Sequence, residues 1–376
     1  MRLWLEGKAV YGEEADSFVY LAGNAYFCLG MKKIHYIGIA LLVFCLCCRW
    51  FPAVADFYAG VCYPGISAVL SLCASVVPFS LEEIVVLGFV AAFLWVLVKA
   101  IVRKKGFGWY LGKTALVIIW LMVWFYMGWG NNYFRTPLQA RLGIQRQLFM
   151  EDRFNQFLYD YTDSLNDLHL AAALPDKDAL EADIKAFYNE TLPDVGYARL
   201  RKWQHPKKPV LGGLYSAVGV LGFVGPFFCE TQVNRDLPEE SYPFTLAHEM
   251  AHLAGVTSEA EANYWAYLYC RRSGTESLRF CGYFSIFPHV ATNVHSFMTE
   301  DYYAYWMKSI HPDVRERYET EREYWEALRV PAVDRIQSWL MDASLKHNKV
   351  SSGAREYSEV VSLILTMEAW EQANSL

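Results

Sequence analysis

The sequence predicts membrane-spanning α-helices at the N-terminus, followed by an α+β, mainly helical domain outside the membrane. Apolar residues make up 54% of the 376 residues and charged residues only 20%, and the apolar excess is concentrated in the first third of the chain. From Asn131 onwards the sequence is typical of a soluble domain, with apolar residues at helical spacing. We therefore expect an N-terminal extension (residues 1–30), a membrane region (31–130) and an external domain (131–376).

Three long apolar segments carry the membrane prediction. They are His35–Phe51, Ile84–Val102 and Ala115–Gly130, and a bilayer is crossed by about 17–25 apolar residues. Met31 begins a basic and then apolar stretch that is typical of a natural start, so residues 1–30 are interpreted as an upstream extension. The tripeptide Ala53-Val54-Ala55 resembles a signal-peptidase site, which leaves open whether the first segment is cleaved.

The positions of Lys and Arg predict the orientation. Lys32 and Lys33 precede the first apolar segment, Arg103 to Lys105 join the second to the third, and no Lys or Arg lies between Trp50 and Val98. Because Lys and Arg concentrate in cytoplasmic loops, these basic stretches are expected in the cytoplasm. Residues 52–80 and everything after Gly130 are then expected outside. The net charge of −6 and the lack of a basic stripe argue against a nucleic-acid partner.

The chemistry is predicted by an HExxH motif, His248-Glu249-Met250-Ala251-His252. Pro243 suits the first turn of a helix and Gly255 suits its end. A spacing of four residues places both imidazoles on one helix face, as a shared zinc ion requires. Glu249 is expected to act as general base on a zinc-activated water. Since His248 lies more than a hundred residues beyond the last apolar segment, we expect the site to lie in water.

A third zinc ligand is expected in the next predicted helix, which Ser258 precedes as N-cap. Glu259 is our choice, and Asn263, one turn further on, is placed to orient it or a histidine from the second shell. Glu261 stays open as an alternative ligand, although with Ser258 it also fits a capping box.

Two resemblances accompany these residues. HExxH followed by Glu259-Ala260-Glu261-Ala262-Asn263 resembles the glutamate zincins, and the resemblance implies a zincin-like domain in which Glu259 completes the zinc site. From Met31 onwards the chain is similar to an uncharacterised bacterial family of membrane proteins, catalogued only as a domain of unknown function. The segments that carry this similarity are Trp129 to Arg135, Glu230 to Asn234 and Pro243 to Asn263. It implies a bacterial inner membrane, with the C-terminal domain on the periplasmic or extracellular side.

The function expected is that of a membrane-anchored zinc metallopeptidase, which hydrolyses a peptide or protein substrate outside the cytoplasm. The Gly-rich segment from Val210 to Phe228 is predicted to form short strands and turns, and either supplies an edge strand for an extended peptide or serves as scaffold. The alternative is a non-catalytic envelope binding module with structural zinc. Such a site needs a fourth ligand, for which His289, His295 and Glu261 are available.

Overall fold

The computed structural model describes residues 33–103, 106–144, 151–170, 173–335, 338–339, 348 and 359–373. In these parts the chain is mainly helical, with one small antiparallel sheet, as an α+β, mainly helical chain should be. The N-terminal extension predicted for residues 1–30 lies outside the described residues.

The described membrane region consists of apolar helices. They are α1 (Lys33–Trp50), α2 (Pro52–Ser75), α3 (Leu81–Val102) and α4 (Phe107–Gly128). Within the described residues, α2, α3 and α4 are long and apolar enough to cross a membrane, and α1 is a shorter apolar helix over Tyr36–Trp50. These helices are compatible with an integral membrane protein.

Helix α2 differs from the prediction of three apolar helices, because it adds a helix in the stretch between the first two segments. A search for continuous apolar runs overlooks it, since Asp56, two tyrosines, two glycines and several serines interrupt the stretch. Its mean hydropathy is accordingly 1.5, against 2.6 for α3. A π-helical turn, Tyr58–Cys62, joins its two halves.

One face of α2 lies against the external domain along its whole length. Near its start the Asp56 carboxylate accepts hydrogen bonds from the N–H and the hydroxyl of Thr136 (2.9 and 2.7 Å), and near its end the Lys207 ammonium donates to the carbonyl oxygen of Ala74 (2.7 Å). Between them, Gln204 and Trp203 donate to Ser67 and Ser71. Both ends of α2 therefore contact the domain.

The opposite face of α2 is apolar and exposed. Its exposed residues are Phe57, Val61, Val69, Leu72 and Val76. The ends of the other helices also meet the domain: Asn131 lies against Cys45 near the end of α1, and Phe227 donates to the Glu82 carboxylate at the start of α3. Helices α3 and α4 pack together. The 22 residues of α3 extend about 33 Å from Leu81 to Val102, so the end of α3 and the start of α4 lie away from the domain.

The external domain is assembled from shorter elements. They are α5 (Leu138–Arg141), α6 (Glu151–Asp167), α7 (Lys177–Thr191), α8 (Gly212–Ala217), β1 (Gly222–Gly225), β2 (Glu230–Val233), α9 (Tyr242–Leu253), α10 (Glu259–Arg272), α11 (Glu276–Phe297), α12 (Glu300–Ser309), α13 (Pro312–Leu328) and α14 (Glu359–Ala373). The central helix is α9, which packs against α7, α10, α11 and both strands. Leu246, Ala247, Met250 and Ala251 of α9 are fully buried, and this burial on several sides fixes the helix that carries the HExxH motif.

The sheet pairs β1 with β2 antiparallel, with Gly222 opposite Val233 and Gly225 opposite Glu230. A parallel bridge joins Lys207 to Gln232 on the other side of β2, so β1 forms the edge of the sheet within the described residues. The segment predicted as strands and turns therefore contains one strand. It also contains the short helix α8, which its glycines did not suggest.

Candidate metal centre

Helix α9 begins and ends where its sequence predicts. Pro243 lies in its first turn, and the helix stops at Leu253. Gly255 then adopts a φ of +101°, a left-handed conformation that glycine tolerates best. Ser258 begins α10, because its hydroxyl oxygen accepts a hydrogen bond from the Glu261 N–H (3.3 Å). The turn between the helices is short, so α9 and α10 pack directly against each other.

Three side chains converge between these helices. The Nε2 atoms of His248 and His252 are 3.0 Å apart, and the Glu259 carboxylate oxygens lie 3.2 Å from His248 Nε2 and 3.6 Å from His252 Nε2. Two ligands at about 2.0–2.1 Å from a tetrahedral zinc are roughly 3.3 Å apart. The observed separations bracket that spacing, so the three donor atoms fit one zinc ion.

The far sides of both imidazoles are held by hydrogen bonds. His248 Nδ1 donates to the side-chain oxygen of Asn263 (2.8 Å), and His252 Nδ1 donates to the carbonyl oxygen of Val256 (2.7 Å). With a proton on each Nδ1, the Nε2 lone pairs face Glu259 and each other. This arrangement is the usual one for metal-binding histidines, since the outer hydrogen bond fixes both the tautomer and the ring orientation.

Glu261 points away from this group. Its carboxylate accepts hydrogen bonds from the Tyr197 hydroxyl and from the Leu138 N–H (3.3 Å). Only the Ser258 half of the expected capping box is therefore made. Of the two glutamates that the sequence left open, the structure brings Glu259 to the histidine pair.

Glu249 lies beside the group, only 5% exposed. Burial raises the pKa of its carboxyl to about 7, although the two histidines act in the opposite direction. Strand β1 passes so close that a Cβ added at Gly222 would lie 2.6 Å from Cγ and Oε1 of Glu249. A glycine at position 222 thus permits the close approach, and sequence reasoning missed it because nothing in the Gly-rich segment distinguishes this glycine from the others.

The histidines and Glu259 influence one another. Burial lowers the pKa of His252, but Glu259, Glu249 and the Val256 carbonyl together outweigh burial and raise this pKa to about 9. Partial burial acts to raise the pKa of Glu259, but His252 and His248 outweigh it and hold that pKa well below 4.5. In the metal-free protein the two histidines and Glu259 thus hold a proton between them. A metal cation bound by the three groups would take the place of that proton.

The group lies next to the apolar helices, although His248 follows the last of them by more than a hundred residues along the chain. Trp129, which follows α4, donates from its indole Nε1–H to the carbonyl oxygen of His252 (2.9 Å), and the two rings meet edge to face at 6.3 Å. The Tyr63 hydroxyl of α2 binds the next carbonyl, that of Leu253. The sequence did not predict these contacts, because Trp129 and the HExxH motif are far apart along the chain.

The two histidines considered as further ligands lie elsewhere. His295 pairs with Glu300 (3.0 Å) on an exposed surface, and His289 is half-buried on α11. Within the described residues, neither belongs to the group formed by His248, His252 and Glu259.

A second set of metal-binding side chains, His169, His311 and Asp313, is also close together. The two imidazoles stack at 3.8 Å with an angle of 27° between their planes. The nitrogen lone pairs lie in the ring planes, and these two planes are stacked and nearly parallel. The lone pairs therefore do not converge on one ion. His311 Nδ1 instead accepts the Asp313 N–H at the start of α13 (3.3 Å), and we interpret this set as a helix cap.

A comparison with known families finds one match, to a family described as "Protein of unknown function (DUF3810)", over residues 58–365. The matched region runs from α2 to α14 and includes the whole histidine–glutamate group. No curated protein and no solved structure matches the chain.

Proposed function

Because the chain belongs to this family of unknown function, we propose its function from the site itself: a membrane-anchored zinc metallopeptidase. The observation that carries the proposal is the triangle of His248, His252 and Glu259, with the buried Glu249 directly beside it. Two imidazoles, one carboxylate and a neighbouring glutamate form the donor set of a catalytic zinc site with a general base.

The fourth position of the site supports catalysis over a purely structural role. Structural zinc sites close four protein ligands around the ion. Here the described group contributes three, and the Glu259 side chain is 42% exposed. A site that is open on one side admits water and substrate, and the buried Glu249 has no use in a structural site. This reasoning favours the peptidase over the binding module.

Each residue has a distinct part in the proposed hydrolysis. Zinc, held by His248, His252 and Glu259, would supply a Lewis acid that acidifies water and polarises a carbonyl oxygen. Glu249 takes the proton from the attacking water and passes it to the leaving amine nitrogen. Asn263 and the Val256 carbonyl hold the imidazoles in the required tautomer.

Strand β1 supports the choice of an extended peptide as substrate. The Asn234 N–H donates to the carbonyl oxygen of Leu221 (2.8 Å), so these two residues form a hydrogen-bonded pair between the strands. Hydrogen-bonded and non-hydrogen-bonded pairs alternate along antiparallel strands. Gly222 and Val224 therefore direct their backbone N–H and C=O groups away from β2. Within the described residues no backbone bond is made on that edge. Val224 is buried and Gly222 is half-buried, so an extended peptide can pair at the Gly222 end of this edge, with one of its carbonyl groups close to Glu249.

The orientation completes the proposal. The end of α3 at Val102 and the start of α4 at Phe107 lie away from the external domain, and the positive-inside rule places the basic stretch that joins them in the sequence in the cytoplasm. We accordingly propose the bacterial cytoplasmic membrane as the location, with the active site on its outer side and a zincin-like external domain.

The test is to purify the full chain in detergent and measure bound metal by elemental analysis, beside His248→Ala and Glu249→Gln variants. We expect one zinc per chain in the wild type, loss of zinc in the first variant and retention in the second. A peptide-library screen then compares hydrolysis, which Glu249→Gln should abolish. A wild type that takes up no zinc on reconstitution would refute the proposal.

A further inference from the structure

The hairpin that carries the edge strand is inserted between the apolar helices. Its tip follows Gly225, and the Trp124 indole donates to the carbonyl oxygen of Phe227 (2.7 Å). The Phe227 ring lies 5.6 Å from the Trp124 ring and 6.0 Å from the Phe89 ring. The β1–β2 turn therefore packs against side chains of both α3 and α4.

The positions of these partners give the depth of the turn. Phe89 lies eight residues into α3, which begins at Leu81, or about 12 Å along the helix axis. Trp124 lies four residues before the end of α4, or about 6 Å from it. If α3 and α4 cross a bilayer, the Phe227 ring lies below the level at which α3 enters it, while the Phe227 N–H stays level with Glu82 in the first turn of α3 (3.0 Å).

Strand β1 leads from the first turn of α3 to the general base, Glu249. At one end, a Cβ added at Gly225 would lie 2.5 Å from the Glu82 carboxylate in the first turn of α3. At the other end, Gly222 lies against Glu249. Three residue steps separate these glycines, which corresponds to about 10 Å of strand.

An apolar rim lies at the same level. The N–H groups of Val210 and Leu211 donate to the Glu83 carboxylate at the start of α3 (2.7 and 2.9 Å). Val210, Leu211 and Leu214 are nonetheless exposed, by 65%, 41% and 51%. Exposed apolar side chains at the start of a spanning helix suit contact with lipid better than contact with water.

We infer that the substrate is the juxtamembrane segment of a membrane-anchored polypeptide, which reaches the half-buried Gly222 end of β1 soon after it leaves the bilayer and is cut within roughly three to six residues of the membrane surface. This inference rests on the proposed function. The reaction is hydrolysis: water adds across the peptide C–N bond, the acyl carbon gains the hydroxyl, and the amine nitrogen gains the proton through Glu249. No redox partner is required.

The test uses the full, zinc-loaded chain in vesicles of phosphatidylcholine and phosphatidylglycerol. The probe is a Leu-Ala helix of about 20 residues, long enough to span a bilayer, followed by a polar peptide library. Its controls are the same library without the helix, and the helix with a long Gly-Ser spacer before the library. Cut positions and initial rates are read by mass spectrometry.

We expect the tethered library to be cut only next to the helix. The spacer should reduce cleavage of the library at least tenfold, although the probe stays bound to the membrane. Tethering alone raises the effective concentration, so the spacer is the decisive control. Cuts that follow the library across the spacer at an unchanged rate would overturn the inference and leave the peptidase intact. Zinc binding without cleavage of any probe would instead overturn the proposed function, and the inference with it.

Discussion

The indole of Trp129 donates a hydrogen bond of 2.9 Å to the carbonyl oxygen of His252, so the residue after the last apolar helix holds the last residue of the HExxH motif. Tyr63 of α2 binds the next carbonyl, that of Leu253. The membrane region and the metal centre are therefore one structural unit, and the full chain is the form in which the site should be studied.

Replacing Trp129 tests this connection. Trp129→Phe keeps an aromatic ring but removes one of two donors to the His252 carbonyl, which still accepts the Gly255 N–H (2.9 Å), so the free energy of unfolding should fall by about 0.5–1.5 kcal/mol. The measurement is the thermal unfolding midpoint in detergent. Trp95→Phe, at a position that is 59% exposed on α3, serves as the control. Equal midpoints for the two variants would contradict a stabilising role for the bond.

The choice of Glu259 over Glu261 is tested by two matched variants. Glu259→Gln removes a charged donor that lies 3.2 Å from His248 Nε2, so zinc affinity should fall at least a hundredfold. Glu261→Gln alters only the contacts to Tyr197 and Leu138 and should retain zinc. Competition with a chromogenic chelator measures both affinities. The reverse order would assign the third ligand to Glu261.

Asn263 is expected to act through His248. Asn263→Ala removes the acceptor of the Nδ1–H bond of 2.8 Å, and the loss of such an outer partner typically costs 10–100-fold in metal affinity. Asn263→Asp keeps an acceptor oxygen and should recover most of the affinity in the same chelator titration. If Asn263→Ala binds zinc as the wild type does, the hydrogen bond has no role in the site.

Gly222 is expected to be required for hydrolysis and dispensable for zinc. The methyl group of Gly222→Ala would lie 2.6 Å from Cγ of Glu249, so either the general base or β1 must move. A displacement of about 1 Å can lower the rate roughly a hundredfold. In Gly213→Ala the nearest atom is 4.0 Å away, and activity should be unchanged. Wild-type rates in Gly222→Ala would place the reaction away from β1.

The metal-free protein should lose stability as the pH rises. Burial raises the pKa of Glu249 from 4.5 to about 7, and Glu259, against the effect of burial, raises that of His252 from 6.5 to about 9. The fold therefore favours the protonated form of both groups. Their contribution is complete at low pH and is lost as the pH passes through 7 and then 9.

Thermal unfolding in the presence of a chelator, measured from about pH 6 to pH 9.5, checks this dependence. His252→Gln should lack the upper part of the decline. Zinc should remove it in the wild type, because a zinc-bound histidine is neutral at Nε2. A metal-free protein that becomes more stable towards pH 9 would show the opposite sign and contradict the assignment.

The sequence by itself determined the parts of the site that lie close together along the chain. Spacing within one helix places His248 and His252 on the same face. A short turn followed by an N-cap serine brings α10, with Glu259, directly against them. The continuous apolar segments of α3 and α4 are equally local signals, since hydropathy depends on composition alone.

The tertiary structure decided everything that depends on distant partners. The sequence favoured Glu259 but left Glu261 open, and only the positions of Tyr197 and Leu138 direct Glu261 away. The apolar helices and the metal centre are separated by 123 residues between Trp129 and His252, and no periodicity records such a contact. Periodicity reports which face of an element is buried, whereas packing alone determines what that face is buried against.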